Sequence, residues 1–225
     1  NWKAGGTPSI NTDGTITSIV SANQAAGFSV VKYTGSTGNT SFGTGLTSEA
    51  EFIIFKRYTN AQNWFVFLKI NNVWHYIEGL NTTSAAINYS ASMSSTSTTV
   101  NLPSFNEFNQ DPNSSYLAYC FTSISGYSKV GSYTGNQSLN TANQINFGFT
   151  PGFVLIKNTT NSGSQWMLFD SARTNGMALY ANSSSAAVDY TTDLLLSSQG
   201  LEFKSTNINV NQSGATYIYL AIKEN

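Results

Sequence analysis

The sequence predicts an all-β protein: two tandem antiparallel β-sandwich units, jelly-roll or lectin-like in appearance, behind a short N-terminal leader. Three observations predict it. Phe149-Thr-Pro-Gly-Phe-Val-Leu-Ile-Lys157 and Trp166-Met-Leu-Phe-Asp-Ser-Ala-Arg173 read as two apolar strands joined by a polar turn, and a cruder copy precedes them as Glu51-Phe-Ile-Ile-Phe-Lys56 and Trp64-Phe-Val-Phe-Leu68. Aromatic residues make up 13% of the chain and charged residues only 9%, against a usual quarter or so. The surface polarity therefore falls to Ser, Thr, Asn, Gln and Gly, while periodic aromatic runs supply a core. Finally, no helical period appears along the chain.

Residues 1–26 form the leader. It holds Trp2-Lys-Ala-Gly-Gly, a turn at Asn11-Thr-Asp-Gly14, and a β-branched strand at Thr15-Ile-Thr-Ser-Ile-Val20. Trp2 is too large to leave in water, so it is expected to dock on the body or on a preceding domain. The first unit, 27–124, opens on Gly27-Phe-Ser-Val-Val-Lys-Tyr-Thr-Gly35; the second, 125–225, opens on Gly126-Tyr-Ser-Lys-Val-Gly-Ser-Tyr-Thr-Gly135 with the same Tyr-Thr-Gly ending. Both faces of Phe52-Ile-Ile-Phe and Phe153-Val-Leu-Ile are apolar, which places these strands mid-sheet with cover on each side. Further landmarks keep register. Leu80 to Ala86 matches Tyr180 to Ala187, and Ser115-Tyr-Leu-Ala-Tyr-Cys-Phe121 matches Thr216-Tyr-Ile-Tyr-Leu-Ala-Ile222. Between them lie the weaker strands Val100-Asn-Leu102 and Leu201-Glu-Phe-Lys204. A period this long suits tandem sandwiches rather than a solenoid. The two units are expected to share a topology, with Trp64 falling on Trp166 and Phe52 near Phe153.

Composition narrows the function classes. A net charge of −1 leaves no electrostatic footprint for nucleic acid. The single cysteine, Cys120, excludes an internal disulfide and reads as a small core residue. No apolar stretch is long enough for a membrane-spanning helix, and no signal-peptide pattern is present. One histidine, His75, and one cysteine cannot build a transition-metal site. Asp13, Asp111, Asp189 and Asp193 lack the alternating acidic spacing of a calcium loop. There is no nucleophile elbow and no phosphate cradle. The 11 acids are mostly isolated, unlike the acid-lined clefts of glycosidases. The reading is a protein that is not an enzyme and needs no metal or organic cofactor.

Two places remain where partner chemistry could reside. Asp170 closes a strand and Arg173 follows three residues on, which suits a fork-like ion pair. As structure this is a turn clamp; as function it is a polar anchor for a sugar hydroxyl or a neighbouring subunit. The first unit carries Leu68-Lys-Ile-Asn-Asn-Val73 where the second has Asp170-Ser-Ala-Arg-Thr-Asn175, so the strand end forms without the pair. Trp74 and Tyr76 share one face of Val73-Trp-His-Tyr-Ile77 and have no counterpart in the second unit. They are either core residues or an aromatic platform for a glycan or a partner chain.

The pattern resembles a domain of unknown function that recurs in structural proteins of tailed bacteriophages, especially those of marine bacteria and cyanobacteria. The residues that carry the likeness are Trp2-Lys-Ala-Gly-Gly, Tyr-Thr-Gly, Gly148-Phe-Thr-Pro-Gly-Phe-Val-Leu-Ile-Lys157, Trp166 with Phe169-Asp-Ser-Ala-Arg173, and Gly214-Ala-Thr-Tyr-Ile-Tyr-Leu-Ala221. The resemblance covers most of the chain and implies a virion location: a tail fibre or spike component touching the host, or a capsid decoration. The partners it implies are other virion subunits, in a homo-oligomer, and a host-surface glycan. A secreted bacterial adhesin is the alternative outside phages.

Overall fold

The computed structural model describes residues 3–89, 93–105, 107–137 and 145–224, and it is an all-β sandwich protein. Among the described residues the only helical piece is the 3-10 turn Gln24–Ala26. Two compact units emerge. The first holds residues 1–79 and 87–123; the second holds residues 80–86 and 124–225.

The first unit contains β1 (Ser9–Asn11), β2 (Ser18–Asn23), β3 (Phe28–Thr34), β4 (Thr40–Gly43), β5 (Phe52–Arg57), β6 (Phe65–Ile70), β7 (Val73–Ile77), β8 (Ile87–Asn88), β9 (Ser94–Ser95), β10 (Thr99–Leu102) and β11 (Ser115–Phe121). They form an eight-stranded sheet ordered β1-β2-β3-β11-β5-β6-β7-β8 and a three-stranded sheet ordered β4-β10-β9. The residues read as a leader thus contribute β1 and β2 to the large sheet. The docking expected of Trp2 lies outside the described residues. Alternation decides the core: Val31, Tyr33, Ile53, Phe55, Phe67 and Tyr116 from the large sheet meet Phe42, Val100 and Leu102 from the small one. Phe52 and Ile54 on the opposite face of β5 are buried as well, as a strand apolar on both faces requires.

The second unit contains β12 (Ser128–Thr134), β13 (Ile145–Asn146), β14 (Pro151–Asn158), β15 (Trp166–Asp170), β16 (Met177–Tyr180), β17 (Val188–Asp189), β18 (Leu194–Ser197), β19 (Gly200–Phe203) and β20 (Thr216–Lys223). Its sheets run β12-β20-β14-β15-β16-β17 and β13-β19-β18. Val154, Ile156, Phe169, Tyr217 and Tyr219 pack against Leu194, Leu201 and Phe203 between them. From β3 and from β12 onward, the two strand orders correspond one for one.

The recurrent Tyr-Thr-Gly has a physical cause. Tyr33 donates its hydroxyl to the Phe108 carbonyl at 2.5 Å and Tyr133 donates to the Val210 carbonyl at 2.7 Å. Both carbonyls lie in the long loop before the last strand of their unit. The glycine that follows donates its N–H into the same loop, Gly35 to Ser114 at 3.0 Å and Gly135 to Ala215 at 2.8 Å. A Cβ at Gly35 would stand 2.3 Å from the Asp111 carbonyl oxygen, and one at Gly135 would stand 2.2 Å from that of Gln212. Only glycine lets these backbones approach so closely.

Candidate functional site

The Asp170–Arg173 turn forms as the sequence suggests. β15 ends at Asp170, whose carboxylate accepts the backbone N–H of Arg173 at 3.0 Å and its Nε–H at 2.8 Å. A second guanidinium nitrogen lies 2.6 Å from the same Oδ2 and donates to the Leu168 carbonyl at 3.4 Å. Partial burial would raise the Asp170 carboxyl, but the bonds and charge of Arg173 outweigh it and hold the group below the usual carboxylate range. Arg173 keeps 28% and Asp170 22% of their side-chain surface exposed, so the fork is fixed in direction and accessible. One of its nitrogens, Nη1, is buried without a hydrogen-bond partner. In the first unit Leu68 takes the matching register position, since Phe52 faces Leu68 as Phe153 faces Asp170.

The aromatic platform is corrected. Trp74 is only 4% exposed and belongs to the core of the first unit. Its ring lies under the Lys69 ammonium, 5.4 Å away. Tyr76 is half-buried against Phe67, Tyr89 and Phe105. The period-2 reading placed both on one face; that face is the inner one, because an edge-ward strand in a two-layer unit still needs large side chains to fill the space beneath it. His75 points the other way, with Nδ1 2.9 Å from the Val73 carbonyl. Trp74 and Tyr76 are thus taken up in the packing of the first unit, while Asp170 and Arg173 form a turn of the second.

Two polar constellations escaped the sequence. Arg57, 6% exposed, donates Nε–H to Ser114 Oγ at 2.9 Å and pairs with Asp111, whose carboxylate also accepts from Ser114 and from the Asn113 N–H. These bonds hold the Asp111 carboxyl low: first the Asn113 N–H, then Ser114, with the Arg57 charge adding to them. It ties the end of β5 to the loop before β11. A charged residue ending an apolar strand was the only hint.

The second constellation is Lys157, fully buried in β14 opposite Trp166, which is also fully buried. Among the described residues no acid pairs with it. Its Nζ donates to the Ser164 carbonyl and, at 3.3 Å, to the Thr83 carbonyl, and burial pushes the ammonium down to about 8. Thr83 belongs to residues 80–86, the segment that in sequence lies between β7 and β8 yet is part of the second unit. That segment also accepts the Gly163 N–H on Thr83 at 2.9 Å and donates the Ala86 N–H to the Thr159 carbonyl at 2.9 Å. Carbonyl cages of this kind fix a chain crossing.

Among the described residues no three His, Cys, Asp or Glu side chains gather as a metal site would require. Two shallow hollows on the first unit, at Lys3–Gly6 with Ala22–Gln24 and at Thr15, Asn39–Ser41 and Asn101–Leu102, hold no pair of opposed titratable groups. The family model described as "Domain of unknown function (DUF7483)" matches residues 1–225. No curated protein and no solved structure matches the chain.

Proposed function

The chain belongs to the DUF7483 family, and we propose that this member is a non-enzymatic surface protein of a tailed-bacteriophage virion, a tail fibre or spike component that contacts the host. We also infer that it is one sandwich unit written twice in tandem. Support for the tandem reading comes from the one-for-one strand orders and from the paired Tyr-Thr-Gly clamps.

The observation that carries the contact role is the Asp170–Arg173 fork. It is held rigid by the backbone at the end of a core strand, is part-exposed, and has a counterpart in the first unit that is plain Leu68. A guanidinium oriented this way suits hydroxyl pairs of a sugar or a carboxylate of a neighbouring subunit. The test is binding of purified protein to host-cell envelopes. The wild type should bind, and Arg173→Ala and Asp170→Ala should bind several-fold less with folding intact. Equal binding by all three removes the fork from the reading.

A second reading, a capsid decoration with no ligand, is favoured by the burial of Trp74 and the half-burial of Tyr76. Both residues proposed as a glycan-stacking platform are thereby taken up in packing. It predicts no envelope binding by any form and retention on purified heads.

A further inference from the structure

The edge that Lys157 and Trp166 form in the second unit has a counterpart in the first. Lys56 precedes the turn as Lys157 does, and its Nζ donates to the carbonyl two residues before the tryptophan, Gln62, as Lys157 donates to Ser164. The Lys56 ammonium lies 5.6 Å from the Trp64 ring centre. Tyr58 donates its N–H to the Ser115 carbonyl at 3.2 Å, as Thr159 donates to that of Thr216 at 2.8 Å. Burial is where the two edges part. Lys157, Thr159 and Trp166 are buried, whereas Trp64 is 37% and Tyr58 44% exposed.

The segment seated on the buried edge also has a counterpart. In residues 80–86, Thr82 Oγ1 bonds Ser84 Oγ and accepts the Ser84 N–H. Ser183 and Ser185 repeat both bonds in the second unit, just before β17 as the first pair stands before β8. Thr83 and Ala86 therefore correspond to Ser184 and Ala187. Residues 82–86 are half-buried and make the three bonds to Lys157, Gly163 and Thr159, but residues 183–187 are all exposed. The first segment and the Lys157 edge meet inside the second unit, whereas Ser183–Ala187, Tyr58 and Trp64 are exposed.

We propose that the exposed segment Ser183–Ala187 of one copy docks on the Lys56–Trp64 edge of a second copy. The complementarity is the one already seen: the Ser184 carbonyl meets Lys56 Nζ, and the Ala187 N–H meets the Tyr58 carbonyl, with the small side chains allowing close backbone approach. This rests on the tandem reading. Because donor and acceptor lie on different units, the contact is heterologous and links copies head to tail, either into a ring or into an open row. A single short segment binds weakly in free solution and gains strength when copies are held together on a particle.

Disulfide trapping tests this, since backbone-bonded neighbours place Cα atoms about 5–6 Å apart, within bridging range. Native Cys120 does not interfere: it is buried and its thiol is pushed up to about 12. Three preparations are oxidised at high concentration. Ala86→Cys with Thr159→Cys in one chain should close an internal bridge. Tyr58→Cys mixed with Ala187→Cys as separate chains should give a covalent dimer holding one of each, roughly tenfold faster than a collision pair. The collision pair is Tyr58→Cys mixed with Ser171→Cys. Adding Trp64→Glu to the Tyr58→Cys chain should slow dimer formation to the collision rate. If the internal bridge closes but the mixed dimer forms no faster than the collision pair, the proposal is wrong and the tandem reading stands. If the internal bridge also fails, the Ala86–Thr159 contact that the docking copies is absent, and the proposal falls with it.

Discussion

Lys157 and Thr83, far apart in sequence, meet inside the second unit, where the buried ammonium donates to the Thr83 carbonyl at 3.3 Å. The relationship makes stability depend on pH in a defined direction. The folded-state value of about 8 lies below the ordinary 10.4 or so of lysine. Between those values the unfolded chain binds more protons, so stability rises with pH across that window. Below pH 8 the cost of charging Lys157 is fully present. Relative to Lys157→Met, the wild type should gain on the order of 3 kcal/mol between pH 8 and pH 10.5, measured by urea unfolding of both proteins. Parallel pH dependence of the two would contradict the buried, carbonyl-caged lysine.

Trp74 and Arg173 should behave oppositely. Trp74→Ala removes a core indole and should cost about 3–5 kcal/mol. Arg173→Ala removes a part-exposed ion pair and should cost less than about 1 kcal/mol. Thermal unfolding of the two variants checks both at once, and a large loss for Arg173→Ala would place the fork among the structural clamps.

Arg57→Ala should be destabilising by roughly 3 kcal/mol, because it strips a buried guanidinium from Ser114, Asp111 and the Tyr116 ring. Proteolysis should then cut first in the loop before β11. The Asp111 carboxyl is held low in the folded state, so its contribution is present above the ordinary carboxylate range and is lost as pH falls through the folded value. The Arg57→Ala variant should keep most of that acid-side decline, because the Asn113 N–H and Ser114 bonds remain, and lose only the part that the Arg57 charge adds.

Gly35→Ala and Gly135→Ala should each lower the melting temperature, and by similar amounts, since each new methyl would collide with a loop carbonyl. If one is neutral, the two Tyr-Thr-Gly clamps are not equivalent.

Much of this fold was legible because its strands are local. Phe52-Ile-Ile-Phe and Phe153-Val-Leu-Ile announced β5 and β14, and the weaker Val100-Asn-Leu102 and Leu201-Glu-Phe-Lys204 fell on β10 and β19. Period-2 alternation put Trp74 and Tyr76 on one face but could not say which face is inward, since that depends on a distant sheet. Arg57 and Asp111 are separated by β6 to β10, so their pairing is a property of the sheet order. Lys157 closes an apolar run, and nothing next to it in sequence marks it as buried. Nothing local records that residues 80–86 belong to the second unit and bury it, although the match between Leu80–Ala86 and Tyr180–Ala187 was visible and is what makes the difference in exposure informative.

The proposed function puts this chain on the outside of a phage particle. Labelling intact, purified virions with Fab fragments raised against the folded protein, and imaging them by electron microscopy, tests it most directly. The expected result is regular label on tail fibres or spikes, abolished by pre-incubation with the free protein. Particles that carry no label while host cells secrete the protein would contradict the claim and point to the adhesin instead.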